Sequence, residues 1–229
     1  MRMRTLLAAV AHQAARHGGL HVFQVLYRKL GAGFAGPLSR GLGCRRLREE
    51  ELLSCCADPQ LDLGEDMVRD AILAGDDCVG VFCGGELIGY VWFSCADAPH
   101  VNGVRVSVPA HAIYRFKAFV LPAYRGRGIA SFLYRAADGI VARPGRQYVV
   151  NCVAVQNFAS IAASRRSGDA LLGHLGYWQP GRFFAAYHTP EVEALGLRFH
   201  LVATRRDNRS ARMASLRASG SGSLQEKRS

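Results

Sequence analysis

Phe119-Val-Leu-Pro-Ala-Tyr-Arg-Gly-Arg-Gly-Ile-Ala130 is the most informative stretch of this chain. It continues an apolar, strand-like run that must end at Pro122, because proline lacks the N–H group that a sheet ladder needs. Gly126 and Gly128 follow, and an amphipathic helical pattern begins directly after them. A strand, a glycine turn and a helix in this order expose backbone N–H groups at the helix N-terminus, where they attract phosphate. The stretch therefore predicts a pyrophosphate-binding turn.

Two common nucleotide-binding motifs do not fit this turn. The Walker A loop requires a Lys after its glycines, and none is present. The dinucleotide fingerprint GxGxxG requires a third glycine, where this chain has Ser131. Arg125 and Arg127 flank the first glycine and would add positive charge beside a bound anion. The turn therefore indicates a phosphate site outside these two classes.

Strand and helix patterns alternate on both sides of the turn. Strand patterns cover residues 44–47, 78–83, 87–93, 113–120, 148–155, 170–178 and 182–188, and helical patterns cover 49–57, 64–75, 130–142 and 158–166. Residues 94–110 look like a loop or an irregular hairpin connection. An antiparallel first half and a strand–helix–strand crossover in the middle predict a mixed α/β (α+β) fold.

The N-terminal part of the chain is strongly basic. Residues 1–48 contain nine Arg or Lys and no acidic residue. Apolar positions at helical spacing within 3–30 predict one or two amphipathic helices, which could pack on the core or make weak contact with a membrane surface. Residues 31–43 are rich in glycine and predict a linker. Residues 1–43 are therefore expected to form a helical extension.

The remaining chain is expected to form one domain at 44–204 and a tail at 205–229. The tail is rich in Arg, Ser and Gly and has no hydrophobic period, which is typical of disorder. It has no aromatic residue to stack on bases, so nucleic acid is not expected as a partner. The sequence leaves the oligomeric state open.

The seven cysteines do not form a recognisable metal or disulfide pattern. Their number is odd, no CxxC pair occurs, and most lie in apolar surroundings. No apolar run approaches the roughly 18 residues that a membrane-spanning helix needs. We therefore expect a reduced, cytoplasmic protein without a metal ion.

The stretch around the turn resembles the coenzyme A signature of the GNAT superfamily of N-acetyltransferases. That signature, [RQ]xxGx[GA] after a strand, is matched by Arg125, Gly128 and Ala130. Residues 79–93 are similar to the family's second and third strands. Asn157-Phe-Ala-Ser-Ile161 is similar to the start of its helix after the fifth strand. The resemblance covers about 44–190.

This resemblance implies a fold, a co-substrate and a reaction. The fourth and fifth strands (113–120 and 148–155) of a central mixed sheet would splay apart around acetyl-CoA, the acyl donor. A small-molecule amine would attack the thioester directly in a ternary complex, and a backbone N–H near Val120 would stabilise the oxyanion. The resemblance assigns coenzyme A binding to Phe119, Val120, Arg125, Gly126, Arg127, Gly128, Ile129, Ala130, Asn157 and Ser160.

The catalytic residues of the family are less well matched. Many relatives place a tyrosine, as general acid, where this chain has Ser164, and the strand at 113–120 contains no carboxylate that could act as a base. Ser164 and Tyr187 are the candidates that remain for the catalytic role. These departures leave an alternative open, namely a non-catalytic regulatory module that binds acyl-CoA. The acceptor and the acyl-chain length are also left open.

Overall fold

Two β-sheets form the framework of the protein. The computed structural model describes residues 18–31, 41–100, 103–181 and 183–201. The strands are β1 (Leu20–Lys29), β2 (Leu42–Arg46), β3 (Asp77–Cys83), β4 (Glu86–Ser94), β5 (Ala98–Pro99), β6 (Val104–Ser107), β7 (Ala112–Val120), β8 (Tyr148–Ala154), β9 (Ala170–Trp178), β10 (Ala185–His188) and β11 (Arg198–Leu201). The helices are α1 (Glu49–Cys55), α2 (Glu65–Leu73), α3 (Ile129–Val141), α4 (Phe158–Arg166) and α5 (Pro190–Leu195).

The larger sheet has eight strands in the order β10-β9-β1-β8-β7-β4-β3-β2. All its neighbouring strands are antiparallel except β7 and β8, which are parallel and connected through α3. Antiparallel strands at the start and one crossover in the middle confirm the mixed fold that the sequence predicts. The glycine turn lies in this crossover, between the end of β7 and the start of α3.

The prediction of helices within residues 3–30 is wrong for residues 20–29. These residues form β1, which lies between β8 and β9 and pairs antiparallel with both. Val25 and Leu26 are both fully buried although they are adjacent, because the two faces of this inner strand are both covered. A strand buried on both faces does not alternate polar and apolar residues, so its pattern is easily mistaken for a helix.

The other expectations about the chain ends fall largely outside the described residues. Residues 1–17, 32–40 and 202–229 are not described. Within the predicted linker at 31–43, Leu42 and Gly43 begin β2. The predicted tail at 205–229 lies wholly outside the described part of the chain.

The segment 94–110, expected to be a loop or an irregular hairpin, contains two short strands. β5 and β6 pair with each other, and β6 pairs with β11 to form the three-stranded sheet. Val104 and Val106 of β6 pack with Phe199 of β11 and Phe23 of β1 in one apolar cluster. The pairing of β5 with β6 agrees with the hairpin alternative, whereas the pairing with β11 was not predicted because β11 is far away in the sequence.

The feature that shapes the functional site is the separation of β7 from β8. The two strands pair only at their first residues, from Ala112 with Tyr148 to Tyr114 with Val150. On the other side of β7, Val91 pairs with Ala118 and Phe93 with Arg115, so β7 carries one extra residue. Such a bulge bends its strand and is frequent next to active sites. From Arg115 onwards the strands therefore diverge, as the resemblance implies.

Candidate functional site

Two adjoining cavities fill the space where β7 and β8 diverge. The first, the turn cleft, has a volume of about 600 Å³ and lies between the end of β7, the glycine turn, the start of α3 and α4. The second, the splay cavity, has a volume of about 410 Å³ and lies between β7 and β8. Four residues line both: Ala118, Tyr134, Asn157 and Ser160. The cavities can therefore hold two ligands that meet at this junction.

The glycine turn presents an open anion site. Gly126 and Gly128 adopt φ angles of +76° and +78°, which side chains other than glycine rarely tolerate, and no atom lies within 4 Å of a Cβ built on either. Gly128 is the N-cap of α3, and the first backbone bond into the helix runs from Phe132 N–H to the Gly128 carbonyl. The first N–H groups of a helix have no intrahelical acceptor. They are thus available to a phosphate group.

Three arginines lie beside this turn. Arg125 donates from Nε to the Val120 carbonyl at 2.9 Å, which ties the turn to the end of β7. Arg127 lies over the Tyr124 ring at 5.7 Å. Arg166, in the last turn of α4, also lines the turn cleft, and the sequence analysis did not predict it. Its position depends on how α4 packs on α3, which no local pattern reveals.

The free edge of β7 directs backbone N–H groups into the cavities. Leu121, just after β7, donates its N–H to the Ile88 carbonyl on the side of β4. Successive residues of a strand direct their N–H groups to opposite sides. The N–H groups of Val120 and Ala118 therefore point towards the space between β7 and β8. This is the position that the sequence analysis assigned to the oxyanion-binding group.

Asn157 and Ser160 lie on the opposite wall. The side-chain oxygen of Asn157 accepts the N–H of Ser160 at 3.1 Å, which caps α4. Its amide nitrogen is left to donate to another group. The structure therefore brings Asn157 and Ser160 into the same cleft as Phe119, Val120 and the turn at 125–130.

Ser164 belongs to a buried polar network. It is 1% exposed, and its Oγ accepts from Arg115 Nη2 at 3.0 Å. In the orientation that satisfies its neighbours, the Asn151 amide oxygen accepts from Ser164 at 3.1 Å and its nitrogen donates to the Leu26 carbonyl. Both the lone pair and the proton of the Ser164 hydroxyl are thus engaged. This geometry gives Ser164 a role in holding Arg115 and Asn151.

Asp169 joins this network from the start of β9. Its carboxylate is 6% exposed and accepts from Arg28 at 2.5 Å and from Arg115. Arg28 of β1 also binds Asp138 of α3 through two nitrogens, at 2.7 and 2.8 Å. Burial raises the pKa of Asp138, and Arg28 opposes that shift. The network links β1, β7, α3 and β9 beneath the cavities.

Tyr187 is not brought to the cavities. It lies on β10 at the edge of the sheet, with β9, β1 and β8 between it and β7. It is 39% exposed, and its hydroxyl donates to the His21 carbonyl at 3.4 Å. The sequence placed Tyr187 at the end of the last predicted strand, but β1 lies between β8 and β9 and so moves β9 and β10 further from β8. A direct role at the thioester does not fit this position.

Charged and aromatic side chains line the splay cavity. Arg115 and Lys117 of β7 line it, and so does His100, which follows β5. Burial, aided by His21, lowers the pKa of His100 to about 4, so its imidazole is neutral at pH 7. Tyr134 of α3 lines it as well and lies under the Arg115 guanidinium at 3.8 Å.

In the described part of the chain, no three His, Cys, Asp or Glu residues cluster closely enough to hold a metal ion. Among the described helices, none is long and apolar enough to cross a membrane. All seven cysteines, which lie within the described ranges, are free thiols.

Several solved structures are similar to this chain. A Drosophila protein is 18% identical with a TM-score of 0.42 over 72% of this chain, which spans only 54% of that protein. RimL, a ribosomal L7/L12 alpha-N-protein acetyltransferase, is 23% identical with a TM-score of 0.43 over 57% of this chain and 78% of its own. An aminoglycoside 6'-N-acetyltransferase from Acinetobacter baumannii is 22% identical with a TM-score of 0.41 over 56% of this chain and 90% of its own. A search of curated proteins finds no match.

A family model describes the central part of the chain. The model of the acetyltransferase (GNAT) family matches residues 44–169, which is more than half of the sequence. The match begins within β2 and ends just after α4, so it includes β7, the glycine turn, α3 and both walls of the turn cleft. The protein therefore belongs to the GNAT acetyltransferase family.

Proposed function

We propose that the protein transfers an acetyl group from acetyl-CoA to the amine of a small molecule. The observation that carries the proposal is the pair of cavities that meet beside the unpaired edge of β7. One has the anion-binding turn expected for a coenzyme A pyrophosphate, and the other is free for an acceptor. Two substrates held in contact can react in a single ternary complex, and most of the rate can come from that positioning.

Coenzyme A would occupy the turn cleft. The N–H groups of residues 125–130 would bind the pyrophosphate, with Arg127 and Arg166 adding positive charge. The pantetheine arm would run along Phe119 and Val120 on one side. Asn157 and Ser160 would contact it from the other side. This arrangement brings the thioester to the junction of the two cavities.

The backbone of β7 would stabilise the transition state. When the amine attacks, negative charge develops on the thioester oxygen. The N–H groups of Val120 and Ala118, held in place by the pairing of β7 with β4, would donate to that oxygen. Donors fixed before the reaction are the main source of such stabilisation, because they need not reorganise.

Tyr134 is the hydroxyl group best placed to protonate the leaving thiolate. It lines both cavities, as Ser160 does, and a phenol is a stronger acid than a serine hydroxyl. The Ser164 hydroxyl is engaged, and Tyr187 is remote. Burial raises the pKa of Tyr134, against an opposing effect of Arg115, so the phenol is protonated at neutral pH. A protonated phenol next to the sulfur can act as a general acid.

A binding and turnover assay tests the proposal. The full chain is titrated with acetyl-CoA in a calorimeter, and acetylated products from a broad panel of amines are measured by mass spectrometry. Gly128→Glu should abolish binding, because the side chain would fill the anion site. Gly145→Glu is the matched control, since Gly145 has a φ of +79° and equally open surroundings after α3.

The outcomes separate the candidate functions. Binding and product formation support the transferase. Binding without any product across the panel favours the non-catalytic regulatory module, for which the engaged Ser164 hydroxyl is the structural argument. Absence of acetyl-CoA binding in the unmodified chain would rule out both.

A further inference from the structure

Two buried polar atoms beside the splay cavity lack a hydrogen-bond partner among the described residues. They are Nη1 of Arg115 and Nε2 of His100. Both residues line this one cavity. A buried polar group without a partner is costly, and a charged one more so, which is why such groups often mark a ligand position. Here one atom is a donor and the other can accept.

Arg115 is held so that this free nitrogen is fixed. It is 3% exposed, its Nη2 donates to Ser164 and Asp169, and its guanidinium lies over Tyr134. Arg28 holds Asp169 from the other side at 2.5 Å. A guanidinium whose orientation is set by a carboxylate keeps its remaining N–H donors in one plane, which suits an incoming oxyanion.

His100 is held by aromatic rings. Its imidazole packs against Phe23 at 4.6 Å and Phe199 at 4.7 Å between ring centroids. The ring is neutral at pH 7, so one of its nitrogens can accept a hydrogen bond. An acceptor of this kind suits an amine N–H.

The charges around the splay cavity argue against a polycationic acceptor. No Asp or Glu of the described chain lines the cavity, whereas Arg115 and Lys117 do. The partner of Lys117 is Asp62, at 3.0 Å, which lies outside the lining and is 70% exposed. A substrate with several ammonium groups would find no carboxylate here, but one oxyanion would find Arg115.

From these observations we infer that the acceptor is a small amino carboxylate. The inference rests on the proposed function. The carboxylate binds Nη1 of Arg115, and the amine lies towards Nε2 of His100. The amine nitrogen forms a C–N bond with the acetyl carbon as the C–S bond breaks. The electron pair of that bond goes to sulfur, and the proton lost by the nitrogen ends, in net terms, on the thiol of coenzyme A.

The first experiment measures binding without turnover. The full chain, saturated with coenzyme A, is titrated with each common L-amino acid, its amide and its decarboxylated amine. We expect at least one amino acid to bind at least about tenfold more tightly than its amide and amine, the loss typical of one charge-assisted contact. Equal binding of all three forms for every amino acid, or no binding of any, would overturn the inference.

Two lysine variants separate recognition from folding. Arg115→Lys retains a charge for Asp169 but loses the second nitrogen, so the preference for the carboxylate should fall about tenfold. Arg146→Lys is the control, because Arg146 is part-buried, donates to backbone carbonyls and lies outside the cavity lining. It should leave the preference intact. If both variants lower it equally, or neither does, Arg115 does not bind the carboxylate.

Product formation is then measured with the same compounds and acetyl-CoA. Selective binding of an amino carboxylate with no acetylated product would support the carboxylate-binding site and refute the proposed function. Acetylation of amines without selectivity for a carboxylate would support the proposed function and refute the inference about the acceptor. His100→Gln should weaken turnover of the preferred amino acid while coenzyme A binding persists, and unchanged turnover would remove His100 from the site.

Discussion

Replacing Gly128 by alanine tests the anion site with the smallest possible change. Gly128 caps α3 with a φ of +78°, and a Cβ there meets no atom within 4 Å. An L-residue in this left-handed region costs about 1–2 kcal/mol. Loss of glycine's freedom in the unfolded chain returns about 0.4–1 kcal/mol. The net destabilisation should therefore be about 1 kcal/mol, too small to unfold a typical domain.

The effect on coenzyme A should be larger than the effect on folding. The new methyl group would stand among the N–H groups that face the phosphate, and losing one hydrogen bond to a charged group costs about 1.5–3 kcal/mol. The affinity should fall about 10- to 100-fold. Isothermal titration calorimetry with coenzyme A measures this change, and urea unfolding measures the stability.

Gly145→Ala provides the control for this prediction. Its φ of +79° and open surroundings give the same backbone cost, and α3, about 20 Å long, separates it from the turn. It should lose the same stability and retain full affinity. If the two variants bind coenzyme A equally well, the reasoning about the N–H groups of the turn is refuted.

Three further perturbations test other parts of the structure. Leu26→Ala should lower the free energy of unfolding by about 2–5 kcal/mol, since Leu26 is fully buried in β1; a loss under about 1 kcal/mol in urea titrations would contradict the inner position of this strand. Asp169→Ala should cost about 3 kcal/mol or more, because it leaves Arg115 without its carboxylate; a wild-type unfolding midpoint would argue against the network. His100 takes up a proton near pH 6.5 when unfolded but only near pH 4 when folded, so it should remove about 3 kcal/mol of stability between pH 7 and pH 4. His100→Gln should lack this part of the acid sensitivity, and a parallel pH profile would contradict the low pKa.

The glycine turn could be recognised from the sequence because its signals are local. Pro122 ends the strand, and Gly128 supplies the left-handed N-cap. The amphipathic pattern after it supplies α3. Each of these depends on backbone geometry within a few residues, and the structure has each one where the sequence predicts it.

The catalytic assignments depended on contacts that no local pattern records. Ser164 keeps its hydroxyl in hydrogen bonds with Arg115 and Asn151, which belong to two different strands. Tyr187 lies in β10 at the edge of the sheet, because β1, and not β9, is the neighbour of β8. A motif spacing taken from relatives could not foresee either outcome.

By itself the sequence established the mixed fold, most strands and helices between residues 44 and 188, and the glycine turn between β7 and α3. These follow from hydrophobic period, turn residues and proline positions, which act over short distances along the chain. Only the tertiary structure revealed that residues 20–29 form an inner strand and that Arg28, Arg115 and Asp169 meet beneath the cavities. Burial on both faces removes the alternation that identifies a strand, and ion pairs between distant residues leave no trace in local spacing.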